Sequence, residues 1–223
     1  MLVERSRGSA ADFHARALPQ PLTSVAVWLL ALDRPALVLG SGQREDVADV
    51  DAARALGVDV VRRNSGGGAV LLVPGGCLWV DVLLPRGDSR WVDDVGRSSH
   101  WLGEVWARAL RGLAVDASVH RGPLERTTWG RLICFGAVGP GEVIVNGRKV
   151  VGISQRRTRD GARLQCLVLE RWDPAALLDL MVLTSAERTR AIEELIDVAA
   201  GVGVSLDALE AAFLVQLEMS VSN

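Results

Sequence analysis

Residues 77–84 read Cys-Leu-Trp-Val-Asp-Val-Leu-Leu, and no other run constrains the fold as much. Leu78, Val80, Val82 and Leu84 alternate with Cys77, Trp79, Asp81 and Leu83. Successive side chains of a strand point to opposite faces. Both sets are largely apolar, so the strand is predicted to lie centrally in a sheet, buried on both sides. Asp81 is the exception on its face.

Around this strand the chain alternates between extended runs and helical patterns. Two apolar runs, 25–32 and 36–39, are separated by Asp33-Arg-Pro35, which is turn chemistry and predicts a hairpin. Asp46 precedes a helical spacing that ends at Gly57, and 58–62 reads as a short strand. Residues 69–73 and 77–84 are expected strands joined by the turn Pro74-Gly-Gly76. Apolar residues at spacings of three and four over 91–113 predict one long amphipathic helix. A strand near 115–119 and a polar segment, 120–131, follow; a loop of that length suits a cover over a substrate. Runs 132–135, 142–145, 148–157 and 162–169 read as strands. Asn146-Gly147 is the strongest hairpin signal in the chain. A short helix is expected around 10–18, and helices open at Asp173-Pro174, Ser185 and Ser205. The sum is an α+β fold with a mixed or antiparallel sheet core and packing helices. Residues 1–180 form its main domain, and 181–223 a short helical tail packed on it.

Composition narrows the function. The net charge is −2 and there is no basic run, which argues against a nucleic-acid surface. The apolar runs are too short to span a bilayer, and the first twenty residues hold no secretory pattern. Cys77, Cys134 and Cys166 have no metal-ligand spacing, so no metal site is expected and reduced thiols in the cytoplasm are. His14, His100 and His120 are scattered, with His120 beside the expected loop.

The 25 basic residues are 24 arginines and a single lysine, Lys149. An ammonium kept against that bias suits a site that needs a compact charge with three freely aimed donors. Lys149 stands just past Asn146-Gly147, at the start of a predicted strand. A second informative stretch is Arg62-Arg-Asn-Ser-Gly-Gly-Gly-Ala-Val70. Its glycines permit close approach to the main chain. It lacks the Lys-Ser/Thr of a P-loop, so a phosphate held there would lean on backbone N–H groups and on Arg62 or Arg63.

Taken with Asn146-Gly-Arg-Lys-Val-Val-Gly-Ile-Ser-Gln-Arg156, this stretch resembles the paired signatures of the biotin/lipoate protein ligase superfamily. The resemblance is nearest to lipoate-protein ligases and the related octanoyl and lipoyl transferases. Ala36-Leu-Val-Leu-Gly-Ser-Gly-Gln43 and the run into Arg63 extend it over about residues 25–180. It implies a ligase-like catalytic domain whose glycine loop, Ser65, Gly66, Gly67 and Gly68, lines an acyl and adenylate pocket with Arg63, Ala69, Val70, Leu71 and Gly152. Lys149 would sit at the chemical end, aimed at an acyl oxygen.

The implied reaction attaches lipoate or octanoate to a lysine of an apo carrier domain of the lipoyl type. With ATP and Mg²⁺ it would run through an acyl-adenylate, and this ligation is the first expectation. Two places depart from the ligase pattern. Leu71-Leu-Val-Pro-Gly-Gly76 replaces an aromatic residue followed by His and Asp, and Arg163-Leu-Gln-Cys166 stands where a His-Gly pair is common. The stretch after Asp173 is also shorter than the accessory domain of some ligases. Cys134 supplies the alternative, because octanoyltransferases and amidotransferases carry a nucleophilic cysteine shortly before the lysine hairpin. An ammonium beside its thiol would favour the thiolate, and the transfer would need no ATP and no other cofactor. A non-catalytic relative that keeps only the acyl or nucleotide pocket is the third reading.

Overall fold

The computed structural model describes residues 1–222. The central strand expected at 77–84 is observed as β6 (Cys77–Pro85), the third of seven strands in one large sheet that also holds β1 (Leu2–Gly8), β2 (Ala26–Leu32), β11 (Arg148–Arg157) and β12 (Gly161–Leu169). With β7 (Ala117–Val119) and β10 (Val143–Val145) the order is β1-β2-β6-β12-β11-β10-β7. Only β1 and β2 run parallel; the other neighbours are antiparallel. A small second sheet, β4-β3-β5, is built from β3 (Ala36–Leu39), β4 (Asp59–Arg62) and β5 (Val70–Leu72), and β8 (Glu125–Arg126) pairs with β9 (Ala137–Val138).

Both faces of the large sheet are covered. Leu78, Val80, Val82 and Leu84 pack with Leu102, Val105, Trp106 and Leu110 of helix α3 (His100–Gly112) and with Leu209, Phe213 and Leu217 of α6 (Leu206–Val221). Trp106 and Phe213 stack with centroids 3.9 Å apart, which fastens the C-terminal helix to the core. The opposite face, through Trp28, Trp79 and Leu83, meets Phe13 of α1 (Ala10–Ala15) and Val38, Val70 and Leu72 of the small sheet. The small sheet is covered in turn on its far side by α2 (Val50–Ala55), α4 (Pro174–Leu178) and α5 (Ser185–Leu195). No helix among the described residues is long and apolar enough to cross a membrane.

The expected hairpin of 25–32 with 36–39 is absent, because β2 belongs to the large sheet and β3 to the small one. The turn at Pro74-Gly-Gly76 likewise carries the chain between sheets rather than folding β5 onto β6. In both cases each strand is apolar on both faces, and that pattern suits two layered sheets as well as one. The expected long helix covers only His100–Gly112; residues 91–99 form turns in which Asp93 and Asp94 bind Trp91 Nε1 and the Gly96 N–H. Strand β1 was not expected. It is a half-exposed edge strand held by its backbone ladder, so its side chains carry little alternation to read.

Asp81, the odd residue of the central strand, is fully buried. Arg163 of β12 donates to its Oδ2 from Nε (2.7 Å) and Nη2 (2.5 Å), and Trp79 Nε1 donates to Oδ1 at 2.9 Å. Arg163 also donates to the carbonyls of Phe13 and Arg16, which ties α1 to the sheet. Burial pushes the Asp81 carboxyl up and the guanidinium opposes that shift. Removing one partner of such a pair leaves a charge buried alone, at a cost of about 3–5 kcal/mol. Asp81→Ala and Arg163→Met are therefore each expected to lower unfolding free energy by that order in urea titration. Arg54→Ala, whose pair with Asp51 lies in water, should leave it unchanged.

Candidate functional site

The gap between the two sheets holds the site, and glycines set its walls. Gly67 takes a left-handed conformation (φ +103°), which favours glycine. A Cβ on Gly68 would come within 2.7 Å of the main chain at Leu132 and Ile133, and one on Gly40 would meet the Gly67 carbonyl. The close approach lets Ala69 bridge to Ile133: Ala69 N donates to Leu132 O at 2.7 Å and Cys134 N to Ala69 O at 2.8 Å. Residues 132–135, expected as a strand, thus add only one bridge to the glycine loop. They then turn through a 3₁₀ segment, Cys134–Gly136. The glycine triplet is used for backbone packing against the cysteine segment.

Two recesses meet at that cysteine. The inner one is a narrow apolar slot between the sheets, walled by Val38, Val70 and Leu72 on one side and Trp79, Ile153 and Leu167 on the other. The outer one is an open polar bowl that includes Gly66, Gly67, Gly68, Arg126, Arg131 and Lys149. Cys134, Glu142, Ile153 and Ser154 line both.

Of the residues singled out from the sequence, Arg63, Val70, Cys134 and Gly152 line the slot, and Gly66, Gly67, Gly68, Cys134 and Lys149 line the bowl. Ala69 and Leu71 do not. They alternate with Val70 along the strand and face the α4 and α5 side. Ser65 lies behind the wall, bonded to Ser154 and Gln165. Gly152 makes room rather than contact, since a Cβ there would stand 3.3 Å from Lys149 Cε and 3.5 Å from the Phe135 ring.

The cations are arranged differently from the expectation. Lys149 is 2% exposed. Its Nζ lies 2.8 Å from Glu142 Oε2 and donates to the carbonyls of Cys134 (3.1 Å) and Ala137 (3.0 Å). An ammonium has three N–H donors, and three protein acceptors take them. Lys149 therefore grips the cysteine's backbone, while the thiol faces Arg63, whose Nη2 stands 3.6 Å from Sγ. Arg63 also donates to the carbonyls of Gly66 and Gly68, and Arg62 reaches Gln43 and Glu45. The loop thus turns carbonyls towards Arg63, and both arginines are engaged with the loop and its neighbours.

Several site residues gave no sequence signal. Glu142 accepts from Lys149, from Gly139 N (2.7 Å) and from Ile153 N (3.0 Å), joining the two strands of the Asn146-Gly147 hairpin to the preceding turn. His14, at the end of α1, packs at a tilt against Trp79, ring centroids 4.7 Å apart, and lines the slot. Burial, with Arg163 and Arg63 near it, depresses its pKa to about 3. Burial pushes the Cys77 thiol up to about 12 and raises Cys166 further, so both suit packing roles. His120 makes a 2.7 Å contact with the Pro123 carbonyl and lines neither recess.

The model of the lipoyl protein ligase A/B catalytic domain matches residues 13–213. Octanoyltransferase LipM of Kyrpidia tusciae is 30% identical over 173 residues, which is 75% of this chain and 61% of that protein. Octanoyltransferase LipM of Clostridioides difficile is 31% identical over 125 residues, 54% of this chain and 44% of that protein. The chain thus spans less than two thirds of either curated relative. Among solved structures, the bi-partite lipoate protein ligase studied with its E2 lipoyl domain from Thermoplasma acidophilum shares the fold. Its TM-score is 0.74 at 19% identity, with 99% of this chain and 84% of that one covered. Lipoate-protein ligase A bound with ATP gives 0.72 at 19%, over 99% and 85%.

Two outcomes follow from the buried charges. An unfolded histidine titrates near 6.5 and folded His14 near 3, so between those values the unfolded chain binds the extra proton. The stability associated with His14 is complete above about pH 6.5 and is lost as pH falls towards 3, by up to about 1.4 kcal/mol per unit. His14→Gln should flatten that limb in denaturation curves taken from pH 7 to 4. Glu142→Ala strands the Lys149 ammonium and should destabilise by about 3 kcal/mol or more, whereas Glu142→Ala combined with Lys149→Met recovers part of the loss in the same assay.

Proposed function

Because this chain belongs to the lipoyl protein ligase A/B catalytic domain family, we propose that it is an acyltransferase acting through Cys134. It carries an octanoyl or lipoyl group from a thioester donor to a lysine of a lipoyl-type carrier domain. The observation that supports this reading is the place of the Cys134 thiol, where the apolar slot opens into the polar bowl, with a guanidinium beside the sulfur. The similarity to two octanoyltransferases points the same way.

In this mechanism the acyl chain enters the slot and its carbonyl stops at the junction. The Cys134 thiolate attacks the carbonyl carbon; the donor's C–S bond breaks and its thiolate leaves, taking up a proton. The Arg63 guanidinium, held beside the sulfur by its bonds to the Gly66 and Gly68 carbonyls, stabilises negative charge on Cys134 through the nearness of its own charge. The ε-amine of the carrier lysine then enters from the bowl and attacks the acyl-Cys134 thioester. An amide forms, the C–S bond to Cys134 breaks, and the amine's proton is released. Lys149 acts through the main chain, holding the carbonyl oxygens of Cys134 and Ala137 against Glu142.

A second reading, ligation with ATP and Mg²⁺, rests on the bowl. Arg126 and Arg131 line it and, unlike Arg62 and Arg63, stand where they could meet phosphate oxygens beside Gly66 and Gly67. One comparison separates the two. The protein is incubated with an octanoyl-thioester donor and an apo lipoyl domain without ATP, then with free lipoate or octanoate plus ATP and Mg²⁺, and the products are weighed. ATP-independent acylation of the carrier is expected, with a transient acyl adduct on the enzyme. Cys134→Ala should abolish both adduct and product. Modification that requires ATP and survives Cys134→Ala would overturn the thioester route in favour of ligation, and no modification with either donor would favour a non-catalytic relative.

A further inference from the structure

A chain of hydrogen bonds runs along the slot wall from the bowl inwards. Ser154 Oγ and Ser65 Oγ lie 3.1 Å apart, Ser65 Oγ donates to Gln165 Oε1 at 3.0 Å, and Gln165 Nε2 faces His14 Nδ1 at 3.4 Å. The direction of the chain follows from the Gln165 amide, whose NH₂ side also lies towards the buried Asp81 carboxylate, an acceptor. A hydroxyl has a single hydrogen, and since that of Ser65 goes to Gln165, Ser154 is the donor to Ser65. Gln165 accepts on its oxygen and so turns its amide N–H towards Nδ1. Nδ1 must then accept, and a neutral imidazole with an accepting Nδ1 carries its proton on Nε2. The depressed pKa of His14 agrees with a neutral ring.

The chain therefore ends in an N–H donor. His14 is 7% exposed and lines the slot, and its buried Nε2 has no hydrogen-bond partner among the described residues. A buried donor left unpaired is costly and is satisfied in nearly every native structure. A slot made only for a saturated hydrocarbon chain would be better served by an apolar side chain at this position, as at Val38, Leu72 and Leu167 beside it.

We propose that the slot selects an acyl chain bearing a hydrogen-bond acceptor remote from its reacting carbonyl, a dithiolane sulfur or a hydroxyl or oxo oxygen, and that His14 Nε2–H is the group that recognises it. This rests on the reading of the slot as the acyl site and names the class of acyl group within it. Saturated octanoyl is then the poorer ligand, since it leaves the donor unpaired and adds only apolar contact.

The test is calorimetric titration of the purified chain with four free acids: octanoate, lipoate, 6-hydroxyoctanoate and 8-hydroxyoctanoate. At least one acceptor-bearing acid is expected to bind about tenfold more tightly than octanoate, the equivalent of one satisfied buried hydrogen bond. His14→Phe should remove that preference and bind octanoate at least as well as the wild type does. His14→Gln, which keeps an N–H donor, should retain part of it, and guards against a Phe variant that fails to fold. Equal binding of octanoate and every acceptor-bearing acid by the wild type would overturn the proposal, as would a preference unchanged in both variants. In either case the acyl site itself would stand. Failure of all four acids to bind would overturn the reading of the slot and the proposal together.

Discussion

The site hangs on one ammonium. Lys149 Nζ gathers the Glu142 carboxylate and the carbonyls of Cys134 and Ala137, and so joins the lysine strand, the turn before β10 and the 3₁₀ segment that carries the thiol. A charge this deeply buried is tolerable only when every donor is met and a counter-charge is close. Both conditions hold here. A tetrahedral ammonium can aim its donors in three separate directions, which the planar fork of a guanidinium cannot. That difference accounts physically for a lysine in a chain that otherwise uses arginine.

The slot is a consequence of layering. Strands apolar on both faces require cover on both sides, and the chain meets this by passing twice between a large and a small sheet, after β2 and after β5. Val38, Val70 and Leu72 of one sheet face Trp79 and Leu167 of the other, and the space between them opens at Cys134. The Asp81–Arg163 pair closes the neighbouring part of the same layer and holds the end of α1, and with it His14, against the sheet. Core packing and substrate space are therefore one arrangement, and the polar residues within it are the ones that need explanation.

Legibility varied with the range of the interaction. The central strand, the Asn146-Gly147 hairpin with its two positive φ angles, and the C-terminal helices are local patterns that the chain writes plainly. So were the neighbourhoods of Lys149, the glycine loop and Cys134. The partners inside each neighbourhood were not. Pairing Cys134 with Arg63 requires Gly68 to lie against Leu132 and Ile133, a contact across 65 residues of chain, and no spacing announces it. Glu142 begins the strand expected at 142–145, and nothing in that pattern marked its carboxylate as the partner of Lys149. His14 came from an edge helix that reaches the slot only because Arg163 grips the carbonyls beside it.

The sequence by itself determined the α+β class, the strand that must be buried on both faces, the family resemblance and the three segments that would meet. Those are consequences of side-chain period, turn chemistry and residue type, which act over a few positions. Only the tertiary structure decided which sheet each strand joined, that the glycine loop would present carbonyls to Arg63, and that the lysine would hold the cysteine's backbone while an arginine faced its sulfur. Hydrogen bonds and ion pairs depend on distance in space, and those distances exist only once the two sheets have closed on each other.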